Sequence, residues 1–171
     1  MFKLLAATAT LALVAIAAPA MAQSSASADG TGSITVIRPI QVANTANLAF
    51  GTVIRPATGS GSVTISPAGV SSVSGVILAT TSGARNAAAF TVTGEGGQAV
   101  SVTVPATFSM TGPASSTLLV TTANTVSSPT LSNALGASGT LQVLVGGTVP
   151  IEASTTTGAY SGTFTVSAAY N

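Results

Sequence analysis

The sequence predicts an all-β protein built as one antiparallel β-sandwich or barrel. From residue 33 onward, short alternating segments rich in Val, Ile, Thr and Phe are separated by clusters of Gly, Pro, Ser and Asn, which is typical of such folds. No apolar stripe with the 3.6-residue period of a helix occurs after residue 22. About 150 residues is the size of a single domain, so we expect one domain over residues 33–171.

Charged residues are scarce: the 171 residues include four basic and three acidic ones, or 4%, against about a quarter in ordinary domains. Because 46% of the residues are hydrophobic, the composition is the opposite of that of a disordered chain. So few basic residues cannot neutralise a row of phosphates, which argues against nucleic acid as a partner. Cys and His are absent, which removes disulfides, thiol chemistry and the usual zinc or haem ligands.

Residues 1–22 have the pattern of a secretory signal peptide: Lys3, an apolar run over 4–18, and the small-residue end Ala20-Met21-Ala22. The alternative, a membrane anchor, needs about 20 apolar residues. We expect cleavage after Ala22 and no membrane span afterwards, so the protein is exported through the periplasm to the cell surface or beyond. The remaining chain is formally neutral; its charged residues are Arg38, Arg55, Arg85, Asp29, Glu95 and Glu152.

Residues 23–32 are small and polar and predict a flexible leader. The elements that follow are short runs of alternating polar and apolar residues bounded by turn-forming residues. Strands are predicted over 34–42 (interrupted at Pro39), 48–54, 62–66, 75–80, 88–93, 99–104, 118–122, 140–145, 149–153 and 159–170.

Two hairpins follow from parity, because residues paired across an antiparallel ladder share a face. A three-residue loop over 146–148 pairs Val143 with Ile151 and places Gln142 and Glu152 together on the solvent face. A two-residue turn would set the apolar residues on opposite faces, so the longer loop is favoured.

The second hairpin pairs Phe90 with Val102 and Val92 with Val100 around a glycine-rich loop within 94–98. That loop has some likeness to a phosphate-binding loop, but such loops join a strand to a helix. No helix is predicted after it, so a plain turn is favoured.

Few residues in the chain could support catalysis. Ser or Thr nucleophiles need a base such as His or Lys, and neither occurs after residue 22. Asp29, Glu95 and Glu152 lie in the leader, a predicted turn and the solvent face of a strand, so we interpret them as solvated charges rather than a glycosidase-type pair. No Asp-rich loop suits calcium. We expect no enzyme, cofactor or metal site.

The last predicted strand alternates without a break over 159–170 and holds both tyrosines of the chain. It carries no charge on either face, whereas charged side chains commonly protect strand edges from association. Such an edge suits a subunit that assembles. One face consists of Tyr160, Gly162, Phe164, Val166, Ala168 and Tyr170.

Two family resemblances arise from these residues. Gly158 stands fourteen residues from the end and the aromatic Tyr170 is penultimate, as in the subunits of bacterial chaperone–usher pili, which this chain resembles. The segments 48–51 (LAFG), 63–69 (VTISPAG), 89–94 (AFTVTG) and 139–171 also resemble the bacterial family named domain of unknown function 4402.

The pilus resemblance implies an immunoglobulin-like sandwich that lacks its last strand and leaves a groove open beside the C-terminal strand. A periplasmic chaperone fills such a groove during folding, an outer-membrane usher takes part in assembly, and the N-terminal extension of the next subunit replaces the chaperone. The groove residues implied here are Gly158, Tyr160, Gly162, Phe164, Val166, Ala168 and Tyr170. The donor face implied is Ser24, Ala26, Ala28, Gly30, Gly32, Ile34 and Val36.

The leading functional hypothesis is a structural subunit, similar to a pilus subunit, that assembles with copies of itself or sister subunits by strand complementation. The alternative is a self-complete, monomeric surface or matrix sandwich acting as an adhesin or binding module. A carbohydrate-binding version is disfavoured, because the chain has no Trp and few other aromatic residues.

Overall fold

The computed structural model describes residues 24–79, 83–126 and 129–171. The predicted signal peptide, residues 1–22, lies outside them. The chain divides into two units, residues 1–34 and 35–171. In the described part of the first unit, residues 24–34 are exposed and form no regular secondary structure.

The second unit is built from strands, with one short 3-10 turn at Pro113–Ser115. In chain order the strands are β1 Gln41–Ala46, β2 Ala49–Phe50, β3 Val53–Ile54, β4 Ser60–Ile65, β5 Ser71–Ser74, β6 Ile77–Leu78, β7 Arg85–Asn86, β8 Ala88–Glu95, β9 Val100–Thr103, β10 Thr107–Thr111, β11 Thr117–Asn124, β12 Ser138–Glu152 and β13 Ser167–Tyr170.

The strands pair antiparallel throughout the described residues. A seven-stranded sheet has the order β1-β8-β12-β11-β10, with β4 pairing with both β12 and β5. Three two-stranded sheets, β13-β9, β2-β7 and β3-β6, complete the domain. The predicted all-β, antiparallel class is confirmed, and the arrangement is consistent with a β-sandwich.

The predicted hairpin around residues 146–148 is wrong. These residues continue β12, which pairs with β8 over its first half and with β4 over its second. Gly146 and Gly147 are buried, and a Cβ on Gly146 would overlap the carbonyl oxygen of Ile65. The glycines therefore allow the backbones of neighbouring strands to approach closely, and they do not form a turn.

The predicted pairing of residues 88–93 with 99–104 is also wrong. β8 lies between β1 and β12, whereas β9 pairs with β13, so the chain changes sheets between them. Phe90, Val92 and Val100 nevertheless belong to one core cluster. Their predicted proximity arises across the core rather than along a shared ladder.

Several strand bounds differ from the prediction. The first strand begins at Gln41 rather than at residue 34, and residues 34–39 are exposed. The predicted strand 48–54 is split into β2 and β3 at Gly51, whose φ of 74° does not fit a strand. Three strands, β5, β7 and β10, were not predicted at all.

The long predicted strand over 159–170 is regular only as β13. Upstream of it, one bridge joins Ser161 to Thr111. Burial follows the predicted alternation in part: Tyr160, Phe164, Val166, Ala168 and Tyr170 are buried or half-buried, but Gly162 of the same predicted face is exposed, as are the residues of the other face.

The core consists of two clusters of buried side chains. One lies around β8 and the first half of β12, and the other around β4, β11 and the second half of β12. Each fully buried valine contributes on the order of 1.5–3 kcal/mol. The fully buried valines of the two clusters include Val63, Val92, Val120, Val143 and Val145.

Candidate functional site

A groove with an apolar floor lies on the surface of the second unit. Two cavities of about 460 and 440 Å³ adjoin each other, and Leu48, Phe50, Met110 and Tyr160 line both. Because a water molecule occupies about 30 Å³, the groove is large enough for several side chains.

Two extended segments form the walls. The first wall runs from residue 48 through β2 and β3 to Arg55, and the second runs from residue 155 to residue 164. β2 pairs only with β7 among the described strands, so one of its edges is unpaired. The floor comes from both core regions and consists of Phe90, Phe108, Met110, Leu118, Val149 and Ile151.

The far end of the second wall, together with the two residues that follow it, has unpaired main-chain groups. Among the described residues, no hydrogen-bond partner is found for the main chain of residues 162–166. Phe164 holds this segment in place, since its ring lies 5.8 Å from that of Phe90 and 4.9 Å from that of Phe108. Each such aromatic pair contributes about 0.5–1.5 kcal/mol beyond its buried area.

Tyr160 and Gly158 fix the end of the second wall that begins at residue 155. The Tyr160 hydroxyl donates to the carbonyl of Thr156 at 2.8 Å and lies 2.9 Å from Ser116 Oγ. Gly158 has a φ of 146°, and a Cβ there would overlap Pro113. Arg55 closes this end, because its Nη1 donates to the carbonyl of Thr155 at 2.7 Å.

The groove is almost uncharged. Among the residues that the structure describes, Arg55 is the one charged residue that lines either cavity. An extended segment with alternating apolar side chains fits such a floor, and a strand on either wall could use the unpaired backbone.

The groove residues implied by the pilus resemblance separate into two groups. Gly158, Tyr160, Gly162 and Phe164 line the cavities. Val166 is buried in the core, and Ala168 and Tyr170 pack against the same core without lining either cavity. The implied donor residues Ser24, Ala26, Ala28, Gly30, Gly32, Ile34 and Val36 are all exposed.

The prediction missed the first wall and the floor. Leu48, Phe50, Phe108 and Met110 all line the groove. The alternation of Leu48 and Phe50 indicated an inward face, but nothing local showed that this face borders residues 158–164.

A polar cluster separate from the groove lies around Glu95, a residue for which the sequence predicted a solvated turn. That interpretation is wrong, because Glu95 is 2% exposed. Its carboxylate accepts from the main-chain N–H and the guanidinium of Arg38, at 3.2 and 2.9 Å, and from the N–H of Gly136. The Tyr170 hydroxyl accepts from the Glu95 N–H at 2.7 Å and donates to the Arg38 carbonyl at 2.8 Å.

The Glu95 carboxylate is held in its charged form. The N–H of Gly136 and the hydrogen bonds and charge of Arg38 keep the pKa of Glu95 below its ordinary value, although burial opposes them. A lowered folded-state pKa contributes stability above the unfolded pKa, and that stability is lost as the pH falls through the folded value.

We expect acid to weaken the domain through this group. The free energy of unfolding should fall as the pH drops below about 4, near the pKa of an unfolded glutamate. The Glu95→Gln variant should be less stable at pH 7, and its deficit should shrink toward pH 3. Urea unfolding of both proteins at pH 7, 5 and 3 measures this. An equal deficit at all three pH values would contradict the assignment.

The described residues hold no group of three or more His, Cys, Asp or Glu side chains that could bind a metal. In the same part of the chain, no helix is long and apolar enough to cross a membrane.

Fold and groove together define a class: a small antiparallel β-domain with an almost uncharged groove beside the segment 155–164, which precedes the last strand. The comparison with protein families then identifies the family to which the chain belongs. Residues 40–170 match the family model described as a domain of unknown function (DUF4402), so the chain belongs to that family. No curated protein and no solved structure matches it.

Proposed function

We propose that this protein is an exported structural subunit, similar to a pilus subunit, that assembles at the cell surface by strand complementation. The observation that carries the proposal is the groove, at whose second wall the main chain of residues 162–166 has no hydrogen-bond partner among the described residues. An extended segment of another copy would occupy it.

Strand addition suits the chemistry of both walls. Main-chain hydrogen bonds to a wall supply affinity, and alternate side chains of the incoming strand cover the apolar floor. Because the groove and the donor are different surfaces, the contact is head-to-tail and propagates into a filament.

The proposed donor is the segment 24–36, which forms no regular structure in the chain itself. Ile34 and Val36 lie two residues apart and are 87% and 82% exposed. In an extended strand they point to the same face, and each loses apolar contact with water on entering a groove.

Assembly of this kind requires proteins other than the subunit itself. An open groove exposes apolar surface, so we propose that a periplasmic chaperone covers it and that an outer-membrane usher takes part in assembly. Sister subunits with the same donor pattern could take the place of identical copies. The immunoglobulin-like, incomplete character of the sandwich belongs to the same proposal.

Deleting residues 23–32 from the exported chain tests the proposal. The variant should fold with an unchanged unfolding midpoint, because residues 24–32 are exposed and form no regular secondary structure. It should no longer form filaments in electron micrographs or detergent-resistant ladders on gels. Persistence of these species would refute the assignment of residues 24–32 to the donor strand. A full-length chain that is a stable, cooperative monomer without a chaperone would favour the self-complete alternative.

A further inference from the structure

The Glu95 cluster joins four separate parts of the domain at one point. It brings together Arg38 before β1, the end of β8, Gly136 before β12 and Tyr170 in β13. Arg38 also donates from Nη2 to the carbonyl of Gly136 at 3.0 Å. Both main-chain groups of Arg38 and its side chain are therefore fixed.

Upstream of this point the described chain is exposed over residues 24–39. Among residues 35–39, which belong to the second unit, Arg38 is the residue that makes hydrogen bonds to the rest of that unit. Ile40 is the first residue that packs against the core.

We propose that the Glu95 cluster anchors Arg38 and thereby fixes the residue at which the N-terminal segment becomes free of the domain. With the anchor closed, the free segment ends at Ile37. With the anchor open, it extends through Pro39 to Ile40. Arg38 and Glu95 are positioning residues, and the inference rests on the proposed function only where it gives the free segment the role of a donor.

Few charged groups surround Glu95, so neutralising its carboxylate should be enough to release Arg38 from the anchor. Arg38 is the charged group that contacts it from the segment before β1, and the Tyr170 hydroxyl is the titratable group that faces it from β13. The loop 133–137 contributes no charged side chain. Neutralising Glu95 removes an attraction that no other charge in the cluster replaces.

A spin label tests the anchor directly. The chain has no Cys, so Thr35→Cys places a nitroxide at one exposed position three residues before Arg38. A reference label at Thr107→Cys lies on β10. Arg38→Ala and Glu95→Gln should narrow the spectrum of the label at position 35 and leave that at position 107 unchanged. Arg85→Ala, which removes a guanidinium bonded to a carbonyl elsewhere, should leave both unchanged.

The outcomes separate the anchor from general stability and from assembly. If the label at position 35 is unaffected by both variants, or is already as mobile as a free peptide, the proposal is overturned. If both labels become mobile together, the cluster supports the whole domain and the proposal is also overturned. Should neither variant fold, stepwise acidification of the labelled native chain gives the same comparison, because protonation of Glu95 should release the label at position 35 before the label at position 107. Because the readout reports the hydrogen bonds of Arg38 within one subunit, failure to form filaments would not alter it.

Discussion

Replacing Gly146 by alanine is expected to lower the free energy of unfolding by about 2–3 kcal/mol, at the upper end of the range for overpacking. The added Cβ would overlap the carbonyl oxygen of Ile65, and it would also approach Ser66 C at 2.6 Å and Pro67 N at 2.7 Å. All three are backbone atoms, so no side-chain rotation can relieve the contact. Relief requires β4 and β12 to move apart, which would disturb their ladder.

Urea unfolding followed by circular dichroism measures this effect. Gly32→Ala is the matched control, because a Cβ at position 32 meets no atom within 4 Å and its φ is not positive. Equal stability of the two variants would mean that residues 146–148 form a tolerant loop, as the sequence suggested, and that β12 is not continuous there.

The misassigned hairpin shows what periodicity can and cannot determine. A strand that continues through three residues and a hairpin with a three-residue loop both keep Leu141, Val143, Ile151 and Ala153 on one face. Burial along β12 agrees with that face on both sides of the glycines. Parity therefore predicted which side chains are buried, but it could not distinguish a turn from a close approach, because glycine serves both.

The sequence could not identify which strands pair with each other, for a related reason. Val92 and Val100 were expected to pair, and both lie in one core cluster although their strands do not pair. Alternation specifies an inward face but not whether the neighbour on that face lies in the same sheet or the opposite one. The strand order depends on long-range packing that no local segment contains.

The candidate site was predictable only in part. Alternation over 159–170 indicated the second wall, including Tyr160 and Phe164. Glu95 was placed in solvent because glycines follow it, yet its partners Arg38, Gly136 and Tyr170 are 57, 41 and 75 residues away. A carboxylate is buried only where such partners converge, and convergence over those separations is a property of the fold.

Replacing Ile34 and Val36 together by aspartate is expected to weaken subunit association at least a hundredfold without destabilising the subunit. Both side chains are exposed in the chain itself, so the unfolding midpoint should not change. In the proposed assembly each would be buried, and burying an aliphatic side chain contributes about 1.5–3 kcal/mol. Losing two such contributions exceeds the 2.8 kcal/mol or so that correspond to a hundredfold change, and an unpaired carboxylate in the apolar groove adds a further cost.

The neighbouring positions provide a control of equal charge. Ser33 and Thr35 are also exposed but lie on the opposite face of an extended strand, so the Ser33→Asp and Thr35→Asp double variant should retain most of its association. Sedimentation of the native chain and both variants over a range of concentrations measures the difference. Equal weakening by the two variants would mean that net charge, rather than the face bearing Ile34 and Val36, governs association. No weakening by either would place the donor strand elsewhere, because two carboxylates on the buried face of a donor are incompatible with an uncharged floor formed by residues such as Phe108 and Met110.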